Sequence, residues 1–148
     1  MNAVNTWRER GRGCGLLCLR VLMGAGMAYH GYGKIFGGRM DSFAAGVAGM
    51  GFPLPEFFAW AAALAEFAGG VCIALGLGTR VAALLVLTTM LVAVFVRHSA
   101  DPFKTKELAL AYTTMALALS LTGPGALALD NLLCRWWRRR NKETQEKG

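Results

Sequence analysis

The sequence predicts an all-α protein: a transmembrane four-helix bundle with a short interfacial or re-entrant helix between spans 1 and 2. Three observations predict it. Hydrophobic residues make up 55% of the 148 and charged residues 17%, against about 45–50% and about 25% in soluble domains. Mean hydropathy is +0.40, more apolar side chain than one small soluble globule can cover. The apolar residues also gather in four runs, separated by glycine, proline and charge. This composition excludes a disordered chain and a disulfide scaffold.

The first run extends from about Leu16 to Phe36. Arg20 interrupts it and no clear small-x-small cleavage site follows, so a retained helix is expected rather than a leader peptide. The second run is Glu56 to Leu77, with Glu66 as its only interior charge. Pro53 and Pro55 precede it, where proline is tolerated at a helix start. Gly76-Leu77-Gly78-Thr79-Arg80 then reads as a tight hairpin. The third run, Val81 to Val96, is uncharged and bracketed by Arg80 and Arg97. The fourth, about Lys106 to Thr122, stops at Gly123-Pro124-Gly125. A span needs about 20 residues, so the last two runs require Arg80, Arg97 and Lys106 to snorkel to the headgroups.

Between runs one and two lies Gly37–Pro55. Asp41 or Ser42 can cap a helix there, and Phe43, Val47 and Met50 fall on one face. About nine apolar residues cannot span, which makes this an interfacial or re-entrant piece. Residues 130–148 are a basic cytoplasmic tail, within which about Asp130 to Lys142 reads as a short basic helix with Leu132, Leu133, Trp136 and Trp137. Residues 1–15 are a basic tail, and residues 16–129 form the membrane domain.

The net charge of +7 resides in these two tails. Residues 1–12 contribute +2 and residues 132–148 contribute +4, leaving +1 for the 119 residues between. Such flanking charge orients spans and meets anionic lipid; it is not a nucleic-acid footprint. With four spans, one side holds Arg8, Arg10, Arg12, Arg20, Arg80 and the six C-terminal cations. The other holds Lys34, Arg39, Arg97, Lys104 and Lys106. The positive-inside rule puts both termini in the cytoplasm of a cell whose inner membrane holds the bundle. Trp136, Trp137, Arg138, Arg139 and Arg140 read as a membrane-surface anchor.

No phosphate loop, dinucleotide fingerprint or zinc-protease motif occurs. No metal site is expected, since His30 and His98 are far apart and lack ligands at helical spacing. Cys14, Cys18, Cys72 and Cys134 contain no Cys-x-x-Cys and are expected to be reduced packing residues. The informative residues are charges inside spans, each costing about 2.5–3.5 kcal/mol at the bilayer centre on insertion scales. Arg20, His30 and Lys34 share an arc of about 80° at 100° per residue. Glu66 lies near mid-span with Ala59, Ala62, Ala63, Gly69 and Gly70 on its face, which lets another helix approach. Arg20 lies roughly 10 Å away in depth, so it meets Glu66 only through water, with His30 or Lys34 as rivals from above. Arg20 and Glu66 therefore read as structural intramembrane charges.

These residues resemble the DoxX family of small four-span membrane proteins. The similarity runs from about Leu16 to Asp130. It rests on Arg20, Gly33-Lys34, Gly51-Phe52-Pro53, Glu66, Gly76-Leu77-Gly78-Thr79-Arg80, His98, Glu107-Leu108-Ala109 and Gly123-Pro124-Gly125. The resemblance implies a membrane subunit linked to redox metabolism. Some relatives belong to thiosulfate–quinone oxidoreductases, and others associate with superoxide- and thiol-handling partners. The thiol-handling members carry a cysteine pair that this chain lacks.

The expected function is a membrane-embedded subunit of a redox system that binds a quinone-like molecule or relays protons. His98 would be the acid/base oriented by Glu107, with Glu66 in the relay and Lys34 polarising a carbonyl. Lys34 and His98 are the candidates for holding a quinone. The expected partners are the bilayer, its anionic lipid and a redox enzyme. A non-enzymatic scaffold docking a soluble partner through the basic tail, and a small-molecule permease, are the alternatives.

Overall fold

The computed structural model describes residues 3–145, without the side chains of residues 3–6, 8, 135, 138, 139 and 141–145. The described residues form helices and turns: α1 (Ala3–Ile35), α2 (Met40–Gly49), α3 (Pro55–Leu75), α4 (Thr79–Val92) continued by a π-helical turn (Ala93–Arg97), α5 (Phe103–Thr122) and α6 (Leu129–Gln145). The four apolar runs and the short intervening piece are all helical. Two helical stretches, Pro55–Leu75 and Thr79–Arg97, are long and apolar enough to cross a membrane. Helices α1 and α5 carry more charge and hydroxyl along their lengths.

α1 begins at Ala3, well before Leu16. No proline interrupts residues 3–15, and Arg8, Glu9, Arg10 and Arg12 are good helix formers. From Ala3 the N-terminal tail continues into the first helix without a break. α2 starts at Met40 instead of Ser42 and has no side-chain cap. The Ser42 hydroxyl instead donates to the Arg39 carbonyl at 2.9 Å.

α3 is the hub, packed against α1, α2 and α4, while α5 leans on α4 and touches α1 only slightly. Small residues set the α1–α3 approach. A β-carbon on Gly24 would lie 2.5 Å from the Gly70 carbonyl oxygen and the Ala74 nitrogen, and one on Gly70 would lie 2.5 Å from the Ala28 nitrogen. Only glycine permits backbones this close. The core between the helices contains Met23, Met27, Ile73, Ala83, Val86, Ala116 and Leu119, all nearly inaccessible. The outward faces are apolar as well: Leu22, Val81, Leu84, Leu85, Phe95 and Leu121 are exposed. Apolar residues both inside and outside suit a bundle solvated by lipid.

The α3–α4 hairpin closes as its glycines predict. Gly76 adopts φ +76° and its N–H donates to the Cys72 carbonyl at 2.9 Å. Asp130 reaches back to this hairpin. Its carboxylate accepts from the Gly78 N–H at 2.8 Å, and its own N–H donates to the Gly76 carbonyl at 3.1 Å. The start of α6 is thereby tied to the end of the bundle.

Candidate functional site

Among the described residues, the candidate charged side chains gather in three places, with Glu66 and Arg20 buried. The first is where α1, α2 and α3 meet. Lys34 lies in the last turn of α1, where a cation complements the helix dipole. Glu66 is 3% exposed on α3, flanked by buried Ala59, Ala63, Gly69 and Gly70. Gly70 against the Ala28 backbone and Gly31 against the Phe67 backbone let α1 come close enough for Lys34 Nζ to donate to both Glu66 oxygens at 2.5 Å. The Phe43 ring of α2 covers the ammonium, 4.1 Å from its centroid. Arg39 donates through Nε to the Gly33 carbonyl at 3.0 Å and ties α2 back to α1. The partner of Glu66 is thus Lys34, from above, and Arg20 does not reach it.

The second place is the end of α4. The π turn lets the His98 N–H reach the Ala93 carbonyl at 2.9 Å. The His98 ring meets Asp101 rather than Glu107: Nδ1 and the Asp101 carboxylate are 2.7 Å apart. Glu107 is exposed on α5. The reason is local. Asp101 follows three residues after His98 in the same turn, whereas Glu107 begins a separate helix that aims it outward. Lys106 donates to the Ser99 carbonyl at 3.2 Å. Between these two places, His30 makes edge-on ring contacts with Tyr29 and with Tyr112 of α5.

The third place is the opposite end of the bundle. Arg20 is 1% exposed and donates through Nη2 to the Leu127 carbonyl at 2.7 Å. Its Nη1 lies against Gly76, where no side chain fits. Nε and Nη1 have no protein partner, and neither does the buried Thr79 hydroxyl. Arg20 therefore fastens the 123–128 linker onto α1 and the hairpin.

Two open grooves flank α2. One, about 470 Å³, is lined by Gly46, Gly49, Met50, Val96 and Arg97. The other, about 600 Å³, includes Met40, Asp41, Ala44, Glu56 and Trp60 in its walls. Neither is lined by Lys34, Glu66, His98 or Glu107. All four cysteines are free thiols, and Cys14, Cys18 and Cys134 are exposed rather than packed. Trp136 and Trp137 are exposed on α6, and the Arg140 guanidinium lies 4.8 Å from the Trp136 ring centroid. The side chains of Arg138 and Arg139 lie outside the described residues.

Sequence reasoning missed Asp101, although its i+3 spacing from His98 was a usable signal. It also missed Phe43 as the cover of Lys34 and Leu127 as the acceptor for Arg20. A main-chain oxygen 107 residues away leaves no mark in the sequence.

The DoxX family profile matches residues 15–99. This chain belongs to the DoxX family. It is a membrane protein. It is 35% identical over 128 residues to inner membrane protein YqjF of Escherichia coli K12, covering 83% of this chain and 95% of that protein. It is 33% identical over 119 residues to a Bacillus subtilis 168 protein named "Putative oxidoreductase CatD", covering 78% and 84%. No solved structure matches it. The DoxX match contains Arg20, Lys34, Glu66 and His98, and it ends before Glu107.

Proposed function

We propose that this DoxX protein is a four-span, membrane-embedded subunit of a redox system, with both termini in the cytoplasm. In this reading α1, α3, α4 and α5 are the spans. The 20 residues of α5 give about 30 Å at 1.5 Å per residue, a bilayer core in length. Lys34 and Glu66 are the polar centre, and α2 covers them from the outer side.

One observation carries the proposal: a lysine and a glutamate joined at 2.5 Å through both carboxylate oxygens, buried between α1 and α3 under Phe43. Intramembrane ionisable pairs of this kind mark proton-handling sites more often than lipid-facing surfaces. A redox partner placed beside this pair would act on it through its own change of charge. The name of the Bacillus subtilis relative supports a redox setting.

The two residues expected to hold a quinone-like molecule already have partners in the fold. Lys34 spends two N–H groups on Glu66 and turns the ammonium to Phe43, while His98 Nδ1 meets Asp101. A quinone headgroup bound there would compete with these contacts. The test is purification from native membranes in mild detergent, with identification of co-purifying proteins and lipophilic molecules. A stoichiometric redox enzyme, whose activity falls at least tenfold when Glu66→Gln is introduced without loss of assembly, is the expected result. A chain that copurifies with no redox enzyme, or an activity indifferent to Glu66→Gln, overturns the proposal.

A further inference from the structure

We infer that α6 is an interfacial helix that binds the anionic lipid surface of the membrane, in a pose set by the strap joining it to the bundle. Advancing 100° per residue from Leu132, positions 129, 132, 133, 136 and 137 fall within an arc of about 140°. All are leucine or tryptophan. The cationic positions 135, 138, 139 and 142 fall together outside it, in an adjoining arc of about 100°. Leu132, Leu133, Trp136 and Trp137 are between 55% and 63% exposed, so no part of the bundle covers the apolar face. Arg140 falls within the apolar arc, and its guanidinium folds over the Trp136 ring.

An apolar face with two tryptophans, backed by a basic face, is the arrangement that lies in the headgroup plane. The charge argues for lipid of one kind. Residues 129–142 hold five cations and one anion, Asp130, and anionic headgroups attract such a segment. Continuity with the bundle argues for the membrane rather than a distant partner. Seven residues after α5 ends, α6 is already pinned: Asp130 bonds Gly78 and Gly76, Arg20 bonds the Leu127 carbonyl, and the Asn131 amide bonds the Gly125 carbonyl at 2.7 Å. A helix held at its first turn cannot roll freely, so the strap decides which arc meets the lipid.

The test uses the full chain with Trp7→Phe and Trp60→Phe, so that emission comes from Trp136 and Trp137. It is reconstituted into vesicles of phosphatidylcholine alone, or of phosphatidylcholine with phosphatidylglycerol, each with brominated acyl chains. Quenching at least twofold stronger in the phosphatidylglycerol vesicles is expected. Replacing Arg135, Arg138, Arg139 and Arg140 with Gln, which keeps the helix, should erase that difference, as should high salt. Asp130→Ala should weaken the quenching while leaving helix content unchanged. Equal quenching in both vesicle types overturns the inference, because burial is then independent of lipid charge. Tryptophans open to an aqueous quencher in both types also overturn it and point to a soluble acidic partner.

Discussion

Removing either member of the Lys34–Glu66 pair strands the other in the bundle. Glu66→Leu leaves the Lys34 ammonium beside Phe43 with no acceptor. Lys34→Met leaves a carboxylate whose side chain is 4% exposed. Breaking a buried pair costs about 3–5 kcal/mol, and the cost grows with the burial of the stranded charge. The Lys34 side chain keeps 22% of its exposure, which puts Glu66→Leu near about 3 kcal/mol. Lys34→Met belongs near about 5 kcal/mol. Replacing both by apolar residues removes both charges, and such swaps are often neutral or stabilising by about 1–4 kcal/mol. The double variant should therefore be far more stable than the sum of the singles. Unfolding in mixed micelles with a graded denaturing detergent, run as a double-mutant cycle, measures this. Two single variants that each cost under about 1 kcal/mol and add independently would show that the pair does not clasp α1 to α3.

Four further outcomes follow from particular positions. Gly70→Ala drives a β-carbon into the Ala28 and Gly24 backbones and should cost about 1–3 kcal/mol. Gly46→Ala meets nothing within 4 Å and should be close to neutral in the same unfolding assay. Gly76→Ala must hold φ +76° and displace Arg20 Nη1, so it should cost at least about 2 kcal/mol, seen as a lower melting temperature in detergent. A membrane-impermeant maleimide should label exposed Cys134 in inverted vesicles and leave it unlabelled in intact cells. The reverse pattern refutes cytoplasmic termini.

Helix positions were legible because each depends on a local pattern: apolar runs of span length, prolines before α3 and the Gly76–Gly78 hairpin. The depth of Glu66 and its small-residue face were legible for the same reason. Its partner was not fixed, since Arg20, His30 and Lys34 share one arc of α1 and only the α1–α3 crossing selects among them. The expectation that Glu107 orients His98 took the end of one helix and the start of the next as neighbours, while the π turn and the 98–101 turn direct His98 to Asp101 in its own loop. The reach of Arg20 to a carbonyl beyond α5 depends on how the linker folds back, which no periodicity records.

Two cations of α1, buried Arg20 and half-buried Lys34, are satisfied at very different moments of synthesis. Lys34 meets an acceptor 32 residues later, while Arg20 waits 107 residues for the Leu127 carbonyl. A nascent chain therefore fastens its first two long helices early and carries an unanswered guanidinium until almost the last helix has left the ribosome. A message cut short before codon 127 yields a bundle whose interior arginine has no oxygen to meet.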